Sequence, residues 1–189
     1  MIIDSSLQEA AAKSQNPRFP CPDHILARLD VITLRYWSLD CRLHQGQLVI
    51  DRRLTSEIIR IFQVIEEHQF PIARMVPAAD PRYQWNDTLL MAANVTSCHN
   101  FRLIVGRDKI SNHGYGQAID INPLFNPCIK WNGEVSPPGA AWERSRPGTL
   151  TPDSIVVRVF EELGWTWGGR WRDPVDYQHF EKVLSPASK

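Results

Sequence analysis

Ser111-Asn112-His113-Gly114-Tyr115-Gly116-Gln117-Ala118-Ile119-Asp120 is the stretch on which the fold turns. His113 and Asp120 stand seven positions apart, roughly 23–25 Å in an extended chain. Two such side chains share one metal ion only if they approach to about 4 Å, so the chain must fold back between them. Gly114 and Gly116 supply backbone freedom for that reversal. Beyond it, Gln117–Asn122 alternates: Ala118, Asp120 and Asn122 fall on one face, Ile119 and Ile121 on the other. That is a strand with an aliphatic face for a core and a carboxylate on the opposite side.

A second cluster lies near the C-terminus, Asp176-Tyr177-Gln178-His179-Phe180-Glu181. His179 is the natural third ligand. Two imidazoles and one carboxylate leave the fourth tetrahedral position open for water, the layout of a catalytic zinc site. Zinc lowers the pKa of such a water and polarises a scissile carbonyl. A second carboxylate must then carry the proton to the leaving amine. Asp176 is within reach by spacing, but a regular strand would point it away from His179, so a bend between them is required. Glu181 shares the face of His179 in an ideal strand and is the rival for the base.

Working outward, Val31–Trp37 reads as a β-branched, aromatic strand and Arg42–Ile50 as a hairpin arm. Thr55–Gln69 reads as a helix, because Ile58, Ile61, Phe62 and Ile65 form one apolar stripe and Pro71 follows. Ile72–Val76 and Thr96–Val105 read as strands, with a short helix capped by Asp87 between them. A Pro- and Gly-rich stretch, 123–150, is long enough to be functional or mobile. Thr151-Pro152 reads as N-cap and first residue of a second helix, with the stripe Ile155, Val156, Val159, Phe160 and Leu163 and a stop at Gly164. Trp165–Trp167, a Gly168-Gly169 turn and Asp176–Val183 complete a strand–turn–strand ending. Strands and helices without βαβ regularity imply an α+β class, a small antiparallel sheet with flanking helices. Residues 1–23 read as a loose N-terminal arm, and 24–189 as one domain.

The chain has 189 residues, 43% of them hydrophobic, enough for one core. Lys+Arg and Asp+Glu both count 21, which argues against a nucleic-acid partner, whose affinity needs excess cations. No apolar run approaches the length of a transmembrane segment, and the N-terminus shows no secretory signal pattern. Cys21, Cys41, Cys98 and Cys128 form no C-x-x-C pair, so a thiolate zinc knuckle is not expected. Two disulfides and four thiols remain equal alternatives from sequence. Taken singly, each candidate has an ordinary reading: a hydrogen-bonded histidine, an acidic turn residue, a strand histidine at His99. His24, His44 and His68 carry no signal. Trp165, Trp167 and Trp171 suit an aromatic wall, or, for at least two of them, the core.

SNHGYGQAID resembles the S-x-H-x-x-G-x-A-x-D motif of the zinc D,D- and L,D-peptidases, a group of D-alanyl-D-alanine carboxypeptidases, D-Ala-D-Ala dipeptidases and L-alanyl-D-glutamate endolysins. WTWGGRW…DYQHFE resembles their closing segment. Ser111, His113, Gly116, Ala118, Asp120, Asp176 and His179 match in two separated blocks. The resemblance implies the hedgehog/D,D-peptidase fold, with His113, Asp120 and His179 as Zn2+ ligands and Asp176 as general base. It also implies an upstream arginine for the oxyanion or substrate carboxylate, for which Arg102 is the candidate; the alternative for Arg102 is an ion pair at a sheet edge. Ser111 is expected to contact substrate. The implied activity is hydrolysis of peptidoglycan stem peptides, as carboxypeptidase, endopeptidase or dipeptidase. Action at the cell wall or periplasm, after lysis or specialised secretion, is expected, with a cytosolic dipeptidase as the alternative and a delivery or immunity partner left open. Two other classes compete: a zinc-holding binding module of the same fold, and an interaction domain without metal.

Overall fold

The computed structural model describes residues 1–104 and 106–185. In chain order it contains β1 (Ile2–Ile3), α1 (Glu9–Ala12), α2 (Asp23–Leu26), β2 (Leu29–Trp37), β3 (Leu43–Asp51) and α3 (Thr55–Glu67). β4 (Arg74–Met75), α4 (Asp87–Ala92), β5 (Val95–Thr96), β6 (Ala118–Asp120), β7 (Cys128–Ile129) and β8 (Val135–Ser136) follow. α5 (Ile155–Glu162), β9 (Thr166–Trp167), β10 (Val175–Asp176) and β11 (His179–Glu181) close the chain. The architecture is mixed α+β with small sheets. β2 and β3 form a nine-residue antiparallel hairpin, with β1 added in parallel at the edge of β3. Two antiparallel three-stranded sheets, β6-β11-β9 and β10-β7-β8, and the parallel pair β4-β5 make up the rest.

The long helix forms where the apolar period places it. Ile58, Ile61, Phe62 and Ile65 are all buried and join Leu48, Ile50, Ile119, Ile121, Phe160 and Phe180 in the main core. α5 buries Val156, Val159 and Phe160 as its stripe foretold, with Ile155 and Leu163 packed at the edge, and Gly164 ends it in the left-handed region at φ +80°. The Phe160 ring stacks on Phe180 with centroids 4.0 Å apart and meets Trp165 edge-on. Phe180 lies between His179 and Glu181 on β11, so the core holds the inner face of the strand whose outer face carries the candidate chemistry. Phe160→Ala should therefore lower stability by about 3–5 kcal/mol, the usual range for truncating a buried phenylalanine, read as a drop in the urea midpoint. An unchanged midpoint would mean that this stack does not anchor β11.

Several boundaries differ from the sequence reading. The expected strand Thr96–Val105 shrinks to β5, and Val105 itself lies outside the described residues. Ile72–Val76 is a strand only at Arg74–Met75. α4 is capped by Asn86, whose side chain accepts from Leu89 N, rather than by Asp87. Ser154, not Thr151, caps α5, accepting from Val157 N, so Pro152 precedes the helix. The first residues of the arm 1–23 are tied to the sheet: Ser5 Oγ donates to Gln47 (2.7 Å), and Asp4 contacts both Tyr36 OH and His44 Nδ1. Asp40 faces His44 Nε2 at 3.2 Å from the other side, so His44 is buried between two carboxylates as a structural clasp. All four cysteines are free thiols in separate parts of the fold. No helix among the described residues is long and apolar enough to cross a membrane.

Candidate metal centre and active site

The turn that brings His113 to Asp120 is built from the motif residues themselves. Ser111 Oγ accepts from His113 N (3.3 Å) and caps a short 3-10 turn over Asn112–Tyr115. Ser111 is buried, and its hydroxyl, expected at the substrate, accepts within the candidate ligand loop. Of the two glycines, only Gly116 uses the left-handed region (φ +66°), and a Cβ there would come within 2.7 Å of Asp51 N. Gly114 has no positive φ; it is required by the close approach of Ile110 and Phe101. The buried Asp51 side chain accepts from Gln117 Nε2 (3.0 Å) and pairs with Arg53, and Asp51 N donates to Gly116 O (3.0 Å), which fixes the loop to the end of β3.

Strand pairing supplies the rest. β6 and β11 are antiparallel with Asp120 directly opposite His179, and opposed side chains on one face of a pair are near neighbours. The chain breaks between β10 and β11 at Tyr177–Gln178, the bend that places Asp176 and His179 in separate sheets. Gly168 makes room for this: a Cβ there would lie 2.4 Å from Asp176 O.

His113, Asp120 and His179 converge. One ligand atom from each lies within 4.8 Å of the others, and all three residues are buried. His113 Nε2 is 3.2 Å from Asp120 Oδ2 and 3.2 Å from His179 Nδ1, and His179 Nδ1 is 3.0 Å from Asp120 Oδ1. The outer nitrogens are engaged elsewhere, His113 Nδ1 with Cys98 O at 2.7 Å and His179 Nε2 with Glu181 Oε2 at 3.0 Å. The inner nitrogens are thus the ones turned towards a common point, and two imidazoles with one carboxylate are a donor set that suits zinc. The residues present fit the ion.

The three groups compensate one another's charge. Burial pushes Asp120 up, but the imidazoles of His113 and His179 outweigh it and hold the carboxyl well below its usual range. Burial works against a charged His179, yet its bonds to Asp120 and Glu181 push it up to about 10. Asp176 behaves oppositely: burial lifts it to about 6, helped by Asp120 and opposed by His179. Its Oδ1 is buried with no hydrogen-bond partner.

The remaining candidates divide. Arg102 pairs with Asp87 (Nη2–Oδ2 2.9 Å), as its ion-pair reading anticipated, while its Nε is buried and unpartnered. His99 is buried and its Nδ1 lies 3.2 Å from His113 O, and burial lowers it to about 4. It supports the backbone of a candidate ligand from a segment outside any strand, not as the strand histidine expected. Trp165 and Trp167 are core residues; Trp171 alone approaches the site, its ring 5.3 Å from that of His179.

Residues 105–182 match the family model described as D-alanyl-D-alanine carboxypeptidase. This segment is similar to that family. The match contains both motif blocks, all three ligands and Asp176, and covers less than half of the chain. No curated protein and no solved structure matches the chain. The family is one of zinc metallopeptidases, and the matched segment holds all three residues that could bind a metal.

The sequence reading missed two asparagines that organise this segment. Asn126 donates to Ile121 O (3.0 Å) and Gly148 O (3.1 Å) and accepts from Leu150 N (2.7 Å). Asn122 bonds Pro71 O (2.8 Å) and Gly148 O (3.0 Å). Together they pin both ends of the irregular stretch 123–150 to the ligand strand β6. The repeated Asn-Pro of Asn122-Pro123 and Asn126-Pro127 was the available signal.

Proposed function

We propose that the chain is a zinc metallopeptidase of hedgehog/D,D-peptidase fold that hydrolyses peptide bonds in the D-amino-acid-containing stem peptides of peptidoglycan. The observation that carries this reading is the convergence of His113 Nε2, Asp120 and His179 Nδ1, with Asp176, whose buried Oδ1 has no partner, on β10. Zinc held by these three supplies a Lewis acid for the scissile carbonyl and an acidified water.

The chain's own groups do the rest. Asp176 takes a proton from the attacking water at its carboxylate and passes it to the leaving amine. Its buried setting favours this, because a carboxyl lifted to about 6 is both ionised at neutral pH and a stronger base than an exposed one. Arg102, held by Asp87 at 2.9 Å, serves the oxyanion or a substrate carboxylate through charge-assisted hydrogen bonds. Trp171 stands beside His179, the rings 5.3 Å apart. A substrate of this class places the action at the cell wall or periplasm.

The test is mass spectrometry of purified cell-wall fragments after incubation with the protein, with and without chelator. Cleavage of stem peptides that chelation stops and zinc restores supports the reading; intact fragments under all conditions defeat it in favour of a zinc-holding binding module. The same assay gives a pH profile. Asp176 works as the carboxylate, so kcat/KM should fall as pH drops through about 6. A rate that stays flat well below that value would remove Asp176 from the base role.

A further inference from the structure

Glu181 is the second carboxylate at this site, and its surroundings differ from those of Asp176. Its Oε2 lies 3.0 Å from His179 Nε2 and accepts from Asn112 Nδ2 at 2.7 Å. Glu181 and His179 are two residues apart on β11 and so share a face. Asn112 immediately precedes His113 in the ligand turn.

We propose that Glu181 and Asn112 are a positioning pair that locks the His179 ring with Nδ1 turned to the metal corner. The proposal rests on the metal centre described under the proposed function. A neutral imidazole carries one proton, and the nitrogen without it is the ligand. A carboxylate at Nε2 selects the ring form protonated there and leaves the Nδ1 lone pair free. His113 is set in the mirrored way: Cys98 O engages its Nδ1 and leaves Nε2 for the ion. The two ligands therefore present different nitrogens, and each choice is made by a partner outside the metal cluster. Glu181 does more than a carbonyl would, because its charge makes the ring a stronger donor.

Asn112 gives the arrangement its reach. One Glu181 oxygen receives both the His179 and Asn112 contacts, so the link runs from β11 across to the turn that carries His113. The two ligand segments, distant in sequence, are tied together on the side away from Asp120. Glu181 thereby acts through His179, whereas the base role falls to Asp176, whose Oδ1 has no such commitments.

The experiment uses the full chain in four forms: wild type, Glu181→Ala, Glu181→Gln and Asn112→Ala. Zinc affinity is measured by competition with a chromophoric chelator. The His179 ring proton is followed in long-range 1H–15N spectra of the zinc-loaded protein. Glu181→Ala should weaken zinc binding about ten- to a hundredfold and speed exchange of the His179 Nε2–H. Glu181→Gln still offers an acceptor oxygen, so it should keep the ring-proton signal and recover most of the affinity. Asn112→Ala should fall between. Unchanged zinc affinity and an unchanged His179 signal in Glu181→Ala would overturn the proposal. So would loss of hydrolysis in Glu181→Ala and Glu181→Gln alike with zinc binding intact, which would make Glu181 the base. The enzyme reading fails separately: wild-type protein that binds zinc with this Glu181 dependence but cleaves no stem peptide keeps the positioning pair and loses the peptidase.

Discussion

Asp176→Ala should leave zinc at about one equivalent and lower kcat by about 10²–10⁴-fold, the usual contribution of a positioned general base. The two halves of this result have different structural causes. Zinc stays because Asp176 is outside the ligand cluster of His113, Asp120 and His179 and sits on β10, paired with Cys128 of β7 rather than with the ligand strands. Catalysis goes because the proton of the attacking water loses its acceptor. The substitution is mild for the fold, since the Oδ1 it removes is buried with no partner and burial disfavours the charged carboxyl. A folded, zinc-loaded, inactive protein is thus the predicted state, checked by metal analysis, thermal unfolding and the cell-wall assay together. Activity within a fewfold of wild type would refute the assignment. Loss of the metal would instead place Asp176 among the ligands.

The candidate site was legible in the sequence because its chemistry demands particular residues at particular places. His113, Asp120 and His179 must meet, and only a reversal at Gly116 and a cross-strand pairing with β11 allow it. The bend between Asp176 and His179 followed from strand geometry alone. α3 was legible for a different reason: its apolar stripe repeats with the helical period over about two turns, and one packed face fixes the helix. Thr96–Val105 failed because its apolar, β-rich composition does not reveal where its backbone bonds go. Ser97 N reaches Asp120 O, His99 N reaches Val49 O and Asn100 N reaches His113 O. Successive residues bond to different segments, so no ladder forms, although the side chains suit one. The cap positions failed more simply. Asn86 and Asp87 are adjacent, and so nearly are Thr151 and Ser154; each is a competent cap, and tertiary packing chooses between them. Glu181 was visible as a neighbour of His179, but its bond with Asn112 joins residues far apart in the chain and needed the fold to be seen.

His113→Ala should remove the ion and the activity together, with zinc falling from about one equivalent to near none and hydrolysis to background. Two remaining ligands, Asp120 and His179, cannot close a catalytic site that needs three protein donors. Of the cluster, Asp120 and His179 in the variant retain only one another, at 3.0 Å, and two donors hold the ion far more weakly than three. The loss reaches beyond the metal: Cys98 O is deprived of the Nδ1 contact at 2.7 Å in a buried place, which costs about 1–3 kcal/mol for an unsatisfied group. Zinc should accordingly raise the Tm of wild-type protein and leave that of the variant unchanged, since only a ligand that binds the folded state stabilises it. His99→Ala is the matching control. His99 is a buried histidine in the same neighbourhood, bonded to His113 O, and it is not in the ligand cluster. Its removal should weaken the fold yet keep zinc near one equivalent. If His113→Ala retained zinc, or if His99→Ala lost it as completely, the ion would be held by other residues than the three the fold brings together.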